Sequence, residues 1–126
     1  MGLTTLKRRA EFLRVRGGLR WSTSTLVVET KPRDTDPADT VEPSATCRFG
    51  FTVTKKLGKA VVRNRIRRRL KSAVRELLEL ARPGFDYVVI AREPAVERSY
   101  ADLKSDLAQA LARVHRPGAG NRSRKA

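Results

Sequence analysis

The sequence predicts an α+β fold, a two-layer sandwich in which a small mixed sheet carries helices packed on one face. Segments with apolar residues at helical spacing alternate with short β-branched or aromatic segments. Their order is α-β-β-(β)-α-β-α, the bracketed strand being a further candidate between residues 16 and 46. A chain of 126 residues is expected to form one domain. We assign that domain to residues 1–115 and predict a disordered basic tail at 116–126.

The first predicted element is a short basic helix from about Leu6 to Arg16. Thr4 or Thr5 is its candidate N-cap, and a Gly-Gly pair follows its last residue. Phe12, on this helix, fits a core anchor better than a ligand contact from the pattern alone.

Two strands are predicted next, at Trp21 to Thr30 and at Cys47 to Thr54. Residues 31–45 between them are acidic and rich in proline, which indicates a loop. Two consecutive strands joined in this way suggest an antiparallel pair. Cys47 lies on the apolar side of its strand and is expected to be a small, inert core residue.

A long helix with one apolar and one basic face is predicted from Ala60 to Ala81. Since no acidic residue occurs between Phe51 and Arg75, its cations repel one another without an internal partner. This pattern favours an anionic partner over a merely solvated face. The apolar stripe contains Val62, Ile66, Leu70, Ala73, Val74, Leu77, Leu78 and Ala81, and the opposite face contains Asn64, Arg65, Arg68, Lys71, Ser72 and Arg75.

The last two elements are a strand and a helix. The strand, Phe85 to Arg92, is the most apolar in the chain, and its centre is apolar on both faces. The helix runs from about Ser99 to Val114, with Ser99 as N-cap and Asp102 three residues later.

Composition limits the function. The chain has 28 Lys and Arg against 13 Asp and Glu, a net charge of +15, which favours a polyanion and above all a nucleic acid. A membrane surface is the rival partner, but there is no long apolar run and no signal-peptide pattern, so we expect a cytoplasmic protein without a membrane partner. With single Cys and His residues, a catalytic dyad or a self-contained metal site is improbable. The chain alone does not look like an enzyme.

Residues 55–69 read Lys-Lys-Leu-Gly-Lys-Ala-Val-Val-Arg-Asn-Arg-Ile-Arg-Arg-Arg, which resembles the signature of the bacterial ribonuclease P protein subunit. The strand Phe49 to Thr54 before it, the segment Ile90 to Ala95 and the pair Glu11-Phe12 resemble the family as well. The resemblance covers roughly residues 6–114, without the acidic loop or the tail. It implies a left-handed β-α-β crossover, an exception to the usual right-handed rule.

The resemblance implies a role in removing the 5′ leader from precursor tRNA. Family members pair with a catalytic RNA that carries the chemistry with bound Mg²⁺, so the protein alone is not expected to be active, and neither an organic cofactor nor a protein oligomer is expected. Matching positions place catalytic RNA against Lys55, Lys56, Arg63, Asn64, Arg65, Arg67, Arg68 and Lys71.

The leader would lie in a cleft between the first helix and the sheet, and this cleft would include Phe12. Arg16 stands where family members commonly carry a second aromatic residue, and a guanidinium plane can also stack on a base. For Asn64, an RNA contact and a local hydrogen bond both remain open.

Two other functions are weighed against this one. A ribosomal or general RNA-binding protein would share the charge and the basic tail. A helix-turn-helix protein that binds double-stranded DNA fits less well, because the basic helix lies between strands.

Overall fold

The computed structural model describes residues 2–6, 9–16, 18–32, 46–82 and 84–115, and it confirms the α+β class. Of the loop predicted at 31–45, residues 33–45 lie outside the described residues, as does the tail at 116–126. Lys31 and Pro32 are instead the last two residues of the strand Leu26–Pro32, so the loop begins later than predicted. Single 3₁₀ turns occur at Lys55–Leu57, Leu78–Leu80 and Glu93–Val96. The strands and helices are β1 (Gly2–Thr5), α1 (Arg9–Val15), β2 (Leu19–Ser22), β3 (Leu26–Pro32), β4 (Thr46–Thr52), α2 (Ala60–Glu76), β5 (Phe85–Ala91) and α3 (Tyr100–Arg113).

The strands form one mixed sheet in the order β1-β4-β5-β3-β2. β4 is parallel to both β1 and β5, whereas β3 is antiparallel to β5 and to β2. The predicted antiparallel pairing of the strands on either side of the acidic loop is therefore wrong, because β5 lies between them. Val88 and Val89 of β5 point to opposite faces and both are buried, which suits a central strand.

The segment predicted as one strand from Trp21 to Thr30 is a hairpin of two strands. Its turn is closed by the Thr23 amide, which donates to the Leu26 carbonyl at 2.7 Å, and by the Thr23 hydroxyl, which donates to the same oxygen at 3.0 Å. The turn contains no Gly, Asn or Pro, and its run Ser22 to Thr25 was predicted as β-branched strand although such a Ser/Thr cluster also fits a turn. The further strand allowed between residues 16 and 46 is confirmed as β2.

The N-terminal segment also differs from the prediction. Thr4 and Thr5 belong to β1, where they pair with Arg48 and Phe49, and so they do not cap the helix. The Leu6 amide continues this ladder by donating to the Phe49 carbonyl at 2.8 Å. Because the backbone here is paired with β4, α1 begins only at Arg9 rather than at Leu6.

The two faces of the sheet are covered by different helices. α2 and α3 pack on the face that carries Phe49, Tyr87 and Val89, and this is the main core. α1 lies on the other face, where Val15 packs with Val88. The prediction that all helices share one face is thus wrong for α1. Seven residues of helix cover only part of that face, which leaves a groove beside it.

The long helix α2 buries the predicted stripe, including Ile66, Leu70, Ala73 and Val74. It follows Gly58, whose φ of 136° favours glycine. It ends at Glu76, not at Ala81, because the chain tightens into the 3₁₀ turn that follows. α3 is as predicted. The Ser99 hydroxyl accepts from the Asp102 amide at 3.1 Å, and Leu103, Leu107, Ala110, Leu111 and Val114 are buried.

Cys47 is fully buried in the main core, as expected for a small apolar residue. Among the described helices, none is long and apolar enough to cross a bilayer.

Candidate nucleic-acid interface

A groove of about 720 Å³ lies between α1 and the sheet, and we call it the α1 groove. Valine and isoleucine side chains of β5 contribute to its lining, two phenylalanines add aromatic surface, and four arginines make it cationic. The lining residues are Arg9, Phe12, Leu13, Arg16, Arg20, Glu29, Phe51, Thr52, Val53, Arg67, Val88 and Ile90.

Phe12 both packs against the sheet and lines the α1 groove. Its ring contacts the small core beneath α1 and is half-buried. Gly50 of β4 makes this position possible, because a Cβ there would lie 2.5 Å from Phe12 Cζ, far inside contact distance. The core position of Phe12 is therefore compatible with a ligand contact.

A buried ion network holds α1 on the sheet. The carboxylate of Asp86 is fully buried and accepts from Arg14 Nη2 at 2.7 Å and from Arg48 Nη2 at 2.6 Å. Arg48 also donates to Glu11 of α1 at 3.1 Å. Burial works against the charge of Asp86, but the hydrogen bonds from Arg48 and Arg14 outweigh it and lower the pKa of the carboxyl. This network fixes the helix that carries Phe12.

The α1 groove contains one acidic residue, Glu29, which is 4% exposed. Arg20, its partner across the hairpin, donates to it at 3.1 Å. Burial raises the pKa of Glu29, and the charges of Arg20 and Arg16 oppose this shift. Arg16 is exposed and, within the described residues, forms no ion pair, so the mouth of the groove stays positive.

The predicted RNA-binding residues of α2 lie at the surface. Asn64, Arg65 and Arg68 are exposed, while Arg63, Arg67 and Lys71 are partly buried. Lys55 and Lys56 are exposed on the 3₁₀ turn that precedes the helix. Across the described ranges, no carboxylate forms an ion pair with any of these cations, although other cations of the fold do have such partners.

The basic residues of α2 face two different grooves. Arg67 lines the α1 groove together with Phe12. Arg65 and Arg68 instead line a shallower groove between α2 and the start of α3. Asn64 accepts from Arg67 Nη1 at 3.2 Å, so the local hydrogen bond foreseen for it does form. Arg63 donates to the Gly58 carbonyl at 3.2 Å, which steadies the start of the helix.

Several lining residues were not predicted from the sequence. Arg20 and Glu29 meet only because of the hairpin register, and the hairpin itself was missed. Tyr100 follows a recognisable N-cap, but its position against α2 depends on helix packing. Arg9 and Leu13 lie on the predicted helix and could have been found as neighbours of Phe12 and Arg16 by helical spacing.

The described linings of the two grooves contain no cluster of metal-ligating side chains. The described residues include no group of three or more His, Cys, Asp or Glu side chains that could hold a metal ion. His115 lies outside both grooves, with Nε2 2.7 Å from the Tyr87 hydroxyl, and burial lowers its pKa to about 4. These side chains therefore give no fit for a protein-held metal.

The family model described as Ribonuclease P matches residues 3–115. The chain is 45% identical over 118 residues to the ribonuclease P protein component of Gluconacetobacter diazotrophicus, covering 90% of this chain and 93% of that protein. It is 44% identical over 114 residues to the same component of Paramagnetospirillum magneticum, covering 89% and 83%. The solved RNase P protein from Thermotoga maritima superposes with a TM-score of 0.73 at 25% identity, covering 89% of this chain and 98% of that one.

Proposed function

The chain belongs to the ribonuclease P protein family, and from that premise we propose that it binds the catalytic RNA through α2 and the 5′ leader of precursor tRNA in the α1 groove. In this role it assists removal of the leader by Mg²⁺-dependent endonucleolytic cleavage. A general RNA-binding or ribosomal protein is the alternative.

The single observation that supports the proposal most is the uncompensated charge of α2. Arg65 and Arg68 are exposed and have no carboxylate within ion-pair distance in the described part of the chain. Arginine remains charged at all relevant pH values and binds phosphate bidentately. A folded RNA, which presents phosphates at close spacing, supplies the missing counter-charge.

The α1 groove suits a single strand rather than a duplex. Proteins that bind single strands combine a cationic groove for the backbone with aromatic side chains for the bases. Here Phe12 and Phe51 supply aromatic surface, and Arg16 and Arg67 supply charge. Such contacts follow the backbone and tolerate many base sequences, as leaders of different precursors require.

Arg67 connects the two binding functions. Its side chain lines the α1 groove, while its guanidinium donates to Asn64 on the exposed side of α2. A leader in the groove would therefore lie directly beside the helix that holds the catalytic RNA. This arrangement allows one small protein to bring substrate and catalyst together.

The protein's part in this mechanism is to bind and orient. The carboxylates Asp86, Glu11 and Glu29 are all bonded to arginines, and these ion pairs give them a structural role in holding the α1 groove. Mg²⁺ held by the RNA would supply activation of water and stabilisation of the leaving oxygen when bound. We assign that metal mainly to the RNA and no metal ligand to this chain.

The test is substrate discrimination by the assembled ribonucleoprotein. Affinity is measured for precursor tRNA with leaders of increasing length and for mature tRNA, with the wild-type chain and with Phe12→Ala. We expect the wild type to prefer the precursor, with a preference that grows until the leader fills the groove, and Phe12→Ala to reduce that preference about tenfold, the scale of one stacked base. Leu13→Ala, also in the groove lining but without an aromatic ring, is the matched control. Equal affinity for precursor and mature tRNA in the wild type would contradict a leader site and favour general RNA binding.

A further inference from the structure

The groove between α2 and α3 is separate from the α1 groove and has no lining residue in common with it. We call it the α2–α3 groove, an open groove with a volume of about 480 Å³. It is lined by Arg65, Arg68, Arg69, Ser72 and Tyr100. Neither the proposed leader site nor the family signature accounts for the tyrosine.

Tyr100 is held firmly in this groove. It is the first residue of α3, directly after the Ser99 N-cap, and its side chain is partly exposed. Its hydroxyl donates to Ser72 Oγ of α2 at 3.2 Å, and its ring packs at the edge of the main core. The hydroxyl and the ring of Tyr100 are therefore both held in place. When a base stacks on the ring, the tyrosine side chain loses little conformational entropy.

The three arginines of the α2–α3 groove are not equivalent. Arg69 donates to the Arg98 carbonyl at 3.2 Å and is partly buried, so it forms a fixed wall. Arg65 and Arg68 are exposed, and within the described residues no protein acceptor is bonded to either of them. Glu76, one turn beyond Ser72, is ion-paired with Lys104, which offsets its negative charge.

We propose that the α2–α3 groove binds one unstacked nucleotide of the catalytic RNA, with its base on the Tyr100 ring and its flanking phosphates on Arg65 and Arg68. Proteins read unpaired, splayed bases of RNA by stacking them on aromatic rings beside cationic groups. A base inside a continuous helix cannot present its face to a side chain, so the ligand is an unpaired nucleotide. This inference rests on the proposed function and adds a site to it.

Two substitutions of the same residue test the stacking. Tyr100→Phe keeps the ring and removes only the hydroxyl, whereas Tyr100→Ala removes the ring. Affinity for the catalytic RNA is measured with each variant as the full chain. We expect Tyr100→Ala to weaken binding about tenfold or more, the scale of one stacked base, and Tyr100→Phe to stay within about twofold of the wild type. Because neither change removes a charge, the salt dependence should stay that of the wild type. Equal affinity of the alanine variant and the wild type would overturn the proposal.

A second measurement does not depend on the stability of the alanine variant. The photocross-linker p-benzoylphenylalanine is placed at position 100 in one chain and at Gln109, an exposed residue of the same helix outside the groove, in another. Position 100 should cross-link to one unpaired nucleotide of the catalytic RNA, and position 109 should not. Equal yields at the two positions, or a cross-link to a paired segment, would overturn the proposal.

Failure of this inference is distinguishable from failure of the proposed function. If Arg65→Gln weakens RNA binding while Tyr100→Ala does not, the RNA-binding role of α2 stands and the nucleotide site is refuted. If Arg65→Gln and Arg68→Gln both leave RNA binding unchanged, the assignment of catalytic-RNA binding to this face of α2 fails, and the nucleotide site fails with it.

Discussion

Removal of the two exposed arginines Arg65 and Arg68 should change how RNA affinity depends on salt. The double variant, with Arg65→Gln and Arg68→Gln, loses two positive charges at side chains that have no ion-pair partner in the described part of the fold. Both side chains are exposed, so their loss leaves no cavity in the core and strands no carboxylate. The expected effect is on RNA binding and not on folding.

The magnitude follows from counterion release. Each phosphate neutralised by the protein contributes about 0.7 to 0.9 to the slope of log affinity against log salt concentration. If each arginine binds one phosphate, the double variant should lose about 1.4 to 1.8 from that slope. Between about 50 and 200 mM salt, the wild-type affinity should therefore fall about 7-fold to 12-fold further than that of the variant.

The assay is equilibrium binding of the catalytic RNA at four or more salt concentrations, by filter retention or fluorescence anisotropy. Arg82→Gln is the matched control, since Arg82 is exposed beyond the end of α2 and outside both groove linings. Its slope should equal that of the wild type. This assignment of phosphate contacts would be refuted if the double variant kept the wild-type slope. It would also be refuted if the control lost about half as much slope as the double variant.

Three further perturbations test the groove and the fold. In Gly50→Ala the new Cβ would lie 2.5 Å from Phe12 Cζ, so the ring must move. The preference for precursor over mature tRNA should fall, while the affinity for the catalytic RNA should stay the same. An unchanged preference would show that leader binding does not depend on the position of the Phe12 ring. Asp86→Asn takes the shared carboxylate from Arg14 and Arg48. The free energy of unfolding, measured in denaturant, should therefore fall by about 3 to 5 kcal/mol. A loss below about 1 kcal/mol would show that the network does not hold α1. Burial lowers the pKa of His115 from 6.5 to about 4. The folded state is therefore more stable above pH 6.5, where the imidazole is neutral, than in acid. This contribution to the free energy of unfolding, at most about 3 kcal/mol, is lost as the pH falls from 6.5 to about 4. His115→Gln should flatten the pH dependence of the melting temperature over that window, and an identical profile would contradict the assignment.

The elements that were predicted correctly are those with strong local signals. In α2 the spacing of Ile66, Leu70 and Val74 identifies the buried face without any tertiary information. In α3 the Ser99 cap and the apolar residues at three- and four-residue steps fix both the start and the buried side. The apolar run of β5 predicts a central strand. The same helical periodicity placed Asn64, Arg65 and Arg68 on the opposite face, where they are exposed.

The parts that were missed depend on contacts between residues distant in sequence. β1 is a short edge strand whose register is fixed by β4, more than forty positions later in the sequence. The hairpin turn is the exception, because its hydrogen bonds between Thr23 and Leu26 are local and its Ser/Thr run was predicted as part of one strand. The position of α1 on the second face follows from the buried carboxylate of Asp86, and no periodicity within α1 reveals that partner. Both groove linings combine such elements, so only part of each was predicted. The predicted members are Phe12, Arg16 and Arg67 in the α1 groove and Arg65 and Arg68 in the α2–α3 groove.

Reconstituted cleavage shows whether this chain acts only together with a catalytic RNA. Precursor tRNA is incubated at low Mg²⁺ concentration with the chain, with a bacterial ribonuclease P RNA, or with both. We expect release of the 5′ leader only when both are present. Cleavage by the chain alone, or no gain over the RNA alone, would contradict it.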